Sequence, residues 1–391
     1  MMKSIRASGA AALLALSTLG PAHAQETLKI GQIEAQTGPL ATYGWINHQG
    51  AALAVDEINR AGGFEVAGKK YNLQLVAPDN RGNPQEALIQ LKQLLERDRV
   101  KFVFGPFLSN VFNGVEPYAS QNNGKFLLMG GATSMHAAAG QAGKDYVVRT
   151  WNWDGGEGGF GSAMVAYLKQ QGAKKVAMLM QNDAAGKVLV DTYTQIFKQH
   201  GIELQVEMFE PGTKDFTAVL AKLAQGKPDY LFPGYVDAVL HDIVRQATET
   251  QLFTRFFLVR GSLAPGLKNK DQIQDYIVYT PKYFEEAEKT EAKTKAFVTA
   301  YKNFYKRDFP YDVAPLCSSA CYDHVYMLVD AMKRAGTVDD VAKVKAALTS
   351  TPYKGVWNIG YTGSEAVFGF DVVHMKKGGA IKVTSVDPLK R

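Results

Sequence analysis

From residue 27 onward, short runs rich in β-branched and aromatic residues alternate with longer stretches whose apolar positions recur at helical spacing. Strands are expected at 27–34, 71–77, 100–104, 126–129 and 146–149, with helices at 46–60, 85–97 and 111–121 between them. Strands that alternate with helices of this length build βαβ units, hence a parallel sheet covered by helices on both faces. After a stretch dense in Gly and Trp (150–161, TWNWDGGEGGFG) the alternation begins again. Helices 159–171, 187–200, 215–225 and 237–250 interleave with strands 175–180, 203–210, 230–232, 256–259 and 276–279. Two such series in succession predict an α/β chain of two doubly wound parallel-sheet lobes. Past Pro281 come helices at 291–306, 318–335 and 339–348, then strands and turns over 356–386. The charged run 285–295 reads as a solvated helix face and its lead-in.

Residues 1–24 stand apart. Lys3 and Arg6 precede the apolar run 10–16, and Ala22-His23-Ala24 has the A-x-A form of a cleavage site. This is the pattern of a secretory signal peptide, too short for a membrane span, so the mature chain is expected to be exported. The net charge of +6 comes from charges mixed along the chain rather than gathered in a basic stripe, so nucleic-acid binding is not indicated. Export permits disulfides, but Cys317 and Cys321 are the only two cysteines. At i, i+4 on a regular helix they lie near the upper limit for bridging, so a disulfide requires Cys317 just outside the helix. The question stays open on sequence alone.

No nucleophile elbow, HExxH, P-loop or dinucleotide fingerprint is present, and the Gly cluster 155–161 reads as a crossover. No His pair has metal-ligand spacing with a carboxylate nearby. His241 and His324 lie on helical runs and read as packing or surface residues. Asp323 and His324, adjacent on a helix, point in different directions. Neither a metal nor a cofactor is expected, and the chain is read as binding rather than catalysing. The polar, turn-like residues instead fall after predicted strands, where open α/β sheets bind ligands. In the first lobe these are Tyr43, Ser109 and Asn110 in GPFLSN, and Gly131, Thr133 and Ser134 in GGATS. In the second they are Trp151, Trp153, Asp154, Asn182, Asp183, Tyr235, Asp237 and Arg260. The segment 105–110 ends a strand and opens a helix, whose unpaired N–H groups and positive dipole end suit a carboxylate. Ser and Asn are also ordinary helix caps. Hydroxyls, aromatics, one Arg and few acids suit a small organic anion with an apolar or aromatic body.

These residues, in this order, resemble the branched-chain amino-acid (Leu/Ile/Val) binding proteins of bacterial ABC importers, which have the type I periplasmic binding fold. The resemblance runs from about Glu26 to Ile381 through TGPLATYG, GAALAVDEINRAGG, VKFVFGPFLS, RTWNWDGGEG, EPGTKDFTAVLAKL, DYLFPGY and IVRQA. It implies two lobes closing on a ligand about a hinge of three crossings, near 149–154, 278–282 and 355–358. One lobe would comprise 25–152 with 281–355, and the other 153–280 with 356–391. It also implies that Ser109, with its neighbour Asn110, and Thr133 hold a ligand carboxylate. Tyr43 would wall the ligand side chain, and Asp154 would lie near its amino end. A membrane permease partner, a periplasmic location and a monomer are expected.

Two positions depart from the resemblance. Relatives that bind amino acids carry a Tyr where this chain has Ala185, and a Glu for the ligand ammonium where it has Arg260 or Gly261. Replacing an acid by a base repels an ammonium and attracts an anion. A carboxylate-bearing ligand without a free α-amino group is therefore expected, an aromatic acid first, given Phe107, Trp151, Trp153 and Tyr235. The alternatives are a branched-chain or other hydrophobic amino acid, an amide or urea, or a sensory ligand-binding domain. The aromatic residues could equally pack the hinge, as Trp often does.

Overall fold

The computed structural model describes residues 25–38, 41–151, 154–155, 159–233, 237–259, 272–280, 282–310, 315–377 and 380–387. The first lobe begins with β1 (Glu26–Gln32), α1 (Ala41–Arg60), the hairpin β2 (Phe64–Val66) and β3 (Lys69–Val76), and α2 (Pro84–Glu96). It continues through β4 (Phe102–Phe104), α3 (Ser109–Gln121), β5 (Leu127–Gly130), a 3-10 helix (Thr133–Ala137) and β6 (Val147–Arg149). The chain then builds the second lobe from α4 (Phe160–Gln170), β7 (Lys175–Gln181), α5 (Ala184–His200), β8 (Glu203–Phe209) and α6 (Thr217–Ala224). This lobe is completed by β9 (Tyr230–Pro233), α7 (Asp237–Glu249), β10 (Arg255–Val259) and β11 (Asp275–Thr280). Four helices follow: α8 (Phe284–Thr290), α9 (Ala292–Tyr305), α10 (Pro315–Ala335) and α11 (Val341–Ser350). The strands β12 (Tyr353–Lys354), β13 (Asn358–Thr362), β14 (Glu365–Phe368), β15 (Phe370–Lys376) and β16 (Ala380–Val386) end the fold.

Two sheets result, ordered β12-β13-β14-β6-β5-β4-β1-β3-β2 and β16-β15-β11-β10-β9-β7-β8. The central pairings are parallel, and antiparallel pairs appear only toward the edges. β4 and β5 are buried at every position, as strands covered on both faces must be. Order reverses between β4 and β1 in the first sheet and between β9 and β7 in the second. Those reversals open the crevices in which doubly wound sheets bind ligands.

The expected third crossing at 355–358 is corrected. β13 and β14 pair within the first sheet, Glu365 lying opposite Arg149, so the chain passes to the second sheet at Gly369, between β14 and β15. The buried side chains of Ala366 and Phe368 keep β14 in that core. α1 also begins at Ala41, earlier than the expected 46. Cys317 lies inside α10 and no disulfide joins it to Cys321, so the condition for a bridge is not met. Among the described residues no helix is long and apolar enough to cross a membrane.

Candidate functional site

The first-lobe side of the cleft is built from two helix starts held side by side. Ser109 is the first helical residue of α3 rather than its cap; Leu108 takes the cap position and offers no side-chain bond. The freed hydroxyl turns sideways. Ser109 Oγ accepts the Ser134 N–H at 3.1 Å, and Ser134 Oγ donates to the Ser109 carbonyl at 3.3 Å. Ser109 and Thr133, the first residue of the 3-10 helix, are both buried. The Ser134 and Met135 N–H groups are thus already donated, and the first-turn N–H groups of α3 and the Thr133 N–H end at one place beside two hydroxyls, an arrangement that favours an anion. Asn110 is exposed and its amide donates to the Gly82 carbonyl at 3.3 Å, so its side chain braces a neighbouring loop instead of joining Ser109.

Across the cleft, α5 lies against α3 and the 3-10 helix. Its start is already capped: Asp183 Oδ1 accepts the Gly186 N–H at 2.7 Å, and Gln181 donates to Asp183 Oδ2 at 2.6 Å. Negative charge is therefore supplied to α5 by the protein itself, leaving the first lobe as the better seat for a ligand anion. Ala185 sits half-buried in the first turn of α5, where it adds little bulk.

An aromatic wall borders these helix starts. Tyr43 stacks on Phe107 with ring centroids 4.8 Å apart, and both are half-buried. The edge of Phe107 meets Trp151 at 6.5 Å. Trp151 itself is buried against Phe368 and Trp357, at 5.5 Å and 6.4 Å, so it packs the hinge. Asp154 is also fully buried, its Oδ1 accepting the Tyr279 hydroxyl at 3.0 Å. Tyr235, Arg260 and Trp153 lie outside the described residues, as does the side chain of Asp237. Gly131 follows β5 and is half-exposed beside Phe107. His241 is exposed, whereas His324 is buried; Asp323 and His324 face different partners. Among the described residues no group of three His, Cys, Asp or Glu could hold a metal ion.

Two buried charged residues that the sequence did not single out hold this wall in place. Glu34, two residues past β1, accepts the Phe107 N–H at 3.1 Å and the Asn47 amide at 3.0 Å. Gly105, at φ +85°, lets the turn pass: a Cβ there would lie 2.7 Å from the Ile33 carbonyl and 2.9 Å from Glu34 Oε1. Arg149, fully buried at the end of β6, donates to the carbonyls of Ala132 (3.2 Å) and Trp151 (2.8 Å) and pairs with Glu365 at 3.3 Å. It ties the residue before Thr133 to the hinge.

Burial raises the Glu34 carboxyl from 4.5 to about 7, against the opposing pull of its Phe107 and Asn47 bonds. Between those values the folded chain keeps a proton that the unfolded chain has released, so this group's contribution to stability falls as pH rises. The slope reaches at most about 1.4 kcal/mol per pH unit for one proton. His324, lowered by burial to about 4, opposes it with a contribution that rises with pH between 4 and 6.5. Glu34→Gln is therefore expected to gain on the wild type as pH increases from 4.5 to 8, read from melting temperatures. A difference that is constant across that range would show that Glu34 titrates normally.

Two lobes, three crossings and a cleft rimmed by helix starts define a protein that encloses a small solute. A family model described as Periplasmic binding protein matches residues 27–378. The chain belongs to that family, within the branched-chain amino-acid binding, type I periplasmic binding proteins of ABC importers. It is 30% identical over 334 residues to Leu/Ile/Val-binding protein homolog 3 of Brucella melitensis, covering 82% of this chain and 83% of that protein. A leucine binding protein of Thermotoga maritima has a similar structure, with TM-score 0.74 and 23% identity, over 93% of this chain and all of that one. So does a solute binding protein of R. palustris in complex with benzoate, with TM-score 0.73 and 19% identity, over 92% and 96% of the two chains. At these identities the two structures speak for the fold alone.

Proposed function

We propose that this chain captures a small carboxylate-bearing ligand, an aromatic acid in the first instance, and delivers it to the permease of an ABC importer. It is exported by residues 1–24 and works in the periplasm as a monomer, without enzymatic turnover or a nucleic-acid partner. The observation that carries the reading is the Ser109–Ser134 stitch. It sets the starts of α3 and the 3-10 helix beside the Tyr43–Phe107 stack, an anion seat next to an aromatic face. The ligand carboxylate docks on the first lobe, and closure of the second excludes water and strengthens each charged hydrogen bond. The Asp183 carboxylate is engaged in capping α5, which supports a ligand without an α-ammonium on that side of the cleft. The benzoate complex of the R. palustris neighbour agrees with this class. A branched-chain amino acid is the second reading, favoured by the name of the Brucella relative.

A thermal-shift panel of benzoate and substituted benzoates against leucine, valine and small amides separates the two. Stabilisation grows as RT ln(1 + [L]/Kd) for a true ligand, so an aromatic acid should raise the melting temperature steadily with concentration. A response confined to leucine and valine would remove the aromatic reading. For the ligand that responds, Ser109→Ala is expected to weaken binding by about 1–3 kcal/mol, the cost of a lost hydrogen bond to a charge. Unchanged affinity would place the carboxylate elsewhere.

A further inference from the structure

Behind Phe107 lies a niche of about 20 Å³, at the C-terminal ends of β1, β4, β5 and β6. Glu34, Asn47, Phe107, Gly131, Cys321 and His324 are among its walls. All its lining residues are buried except Phe107, Gly131 and Cys321, and two of these, Phe107 and Gly131, also border the anion seat. It occupies the reversal between β4 and β1, the crevice of this sheet. Its volume suits one non-hydrogen atom with its hydrogens, about the size of a water molecule or a hydroxyl.

His324 supplies the chemistry. The residue is 5% exposed, and its Nε2 is buried with no hydrogen-bond partner among the described residues. The ring also bonds the Thr150 backbone, and since Nε2 has no partner that bond falls to Nδ1, which donates its proton to the carbonyl. Nε2 is left as a bare acceptor, and burial keeps the imidazole neutral, its pKa lowered to about 4. A buried acceptor without a donor is costly unless something supplies one. Glu34, on the same wall, accepts from Phe107 and Asn47 and makes no bond to His324 Nε2.

We propose that this niche is a subsite of the ligand cleft that takes a hydroxyl, or another single-atom hydrogen-bond donor, carried by the bound ligand, with His324 Nε2 as its acceptor. The inference rests on the cleft reading above but not on the ligand being aromatic. A site built to bond a hydroxyl discriminates against the analogue that lacks it, because its own polar group is then left unpaired.

The test uses matched pairs in calorimetric titrations of the full mature chain: benzoate with 3- and 4-hydroxybenzoate, and valine with threonine. In whichever pair binds, the better-placed hydroxylated member should bind about tenfold tighter than its parent. His324→Leu should abolish that preference, and His324→Gln, which keeps an acceptor, should retain part of it. If His324→Leu does not fold, the wild-type preference and the glutamine variant still decide. Equal binding within each pair, the result if the niche only holds an internal water, overturns the proposal. So does a preference that survives His324→Leu. Binding of valine and threonine but no aromatic acid removes the aromatic reading and leaves this test intact; binding of neither pair overturns both.

Discussion

Replacing Arg149 by methionine is expected to destabilise the protein by about 3 kcal/mol, near the lower end of what breaking a buried ion pair costs. The lower end applies because Glu365, at 20% side-chain exposure, keeps some access to water and a second partner in His136 at 2.9 Å. Methionine keeps the apolar stem and ends where the guanidinium begins, so the loss is mainly polar: the carbonyls of Ala132 and Trp151 lose their donor, and Glu365 loses its guanidinium. The Ala132 carbonyl belongs to the residue before Thr133, so the 3-10 helix loses its tie to the hinge. Ligand affinity should therefore fall as well, although Arg149 itself is buried and serves as a positioning residue. Urea unfolding should show a lower midpoint at unchanged slope. Glu365→Gln, which spares both carbonyl bonds, should cost markedly less. A midpoint for Arg149→Met within about 1 kcal/mol of the wild type would mean that the carbonyls find other donors.

Periodicity made the fold legible because strand and helix patterns are local. The apolar spacing over 46–60 identified most of α1, but Thr42, Tyr43 and Gly44 are weak helix formers, so the first turn was not visible. The close packing of Gly44 on the Ala35 backbone, a tertiary contact, extends the helix over them. The strands in 356–386 were legible as strands. Which sheet each joins depends on pairings such as Glu365 with Arg149, distant in sequence, so the third crossing was misplaced. The same limit applies to the site. Ser109 and Thr133 stand out because polar residues after strands are informative on their own. Glu34 and Arg149 look like any surface charge until Phe107 and Glu365, 73 and 216 residues away, are brought to them. His324 read as a packing or surface residue, since nothing local shows that it lines a niche or that its Nε2 is buried without a partner.

Asp323→Ala should have an effect at least as large, and it tests the hinge from the other side. Asp323 is 1% exposed, and its two oxygens accept the N–H groups of Val356 at 3.0 Å and Trp357 at 2.7 Å. Gly355 makes that approach possible: a Cβ there would lie 2.3 Å from Asp323 Oδ1. The carboxyl thus fixes Trp357, whose indole donates to Ser319 at 2.7 Å and packs against Trp151, the residue that meets the edge of Phe107. Truncation leaves two buried N–H groups without an acceptor at about 1–3 kcal/mol each, so a loss of about 2–6 kcal/mol is expected. Asp323→Asn keeps one acceptor oxygen and should cost about half as much. Burial raises the Asp323 carboxyl from 3.8 to about 7, so the folded wild type holds a proton there that the unfolded chain releases, and its stability falls as pH rises between those values. Both variants lack that dependence, so both deficits should narrow from pH 5 to pH 8, with the alanine variant remaining below the asparagine variant throughout. Near-uniform stability of all three proteins in urea would show that the Val356–Trp357 turn holds without the carboxyl. Loosening of Trp357 in the alanine variant should also weaken ligand binding, since the contacts run from Asp323 through Trp357 and Trp151 to the Phe107 wall.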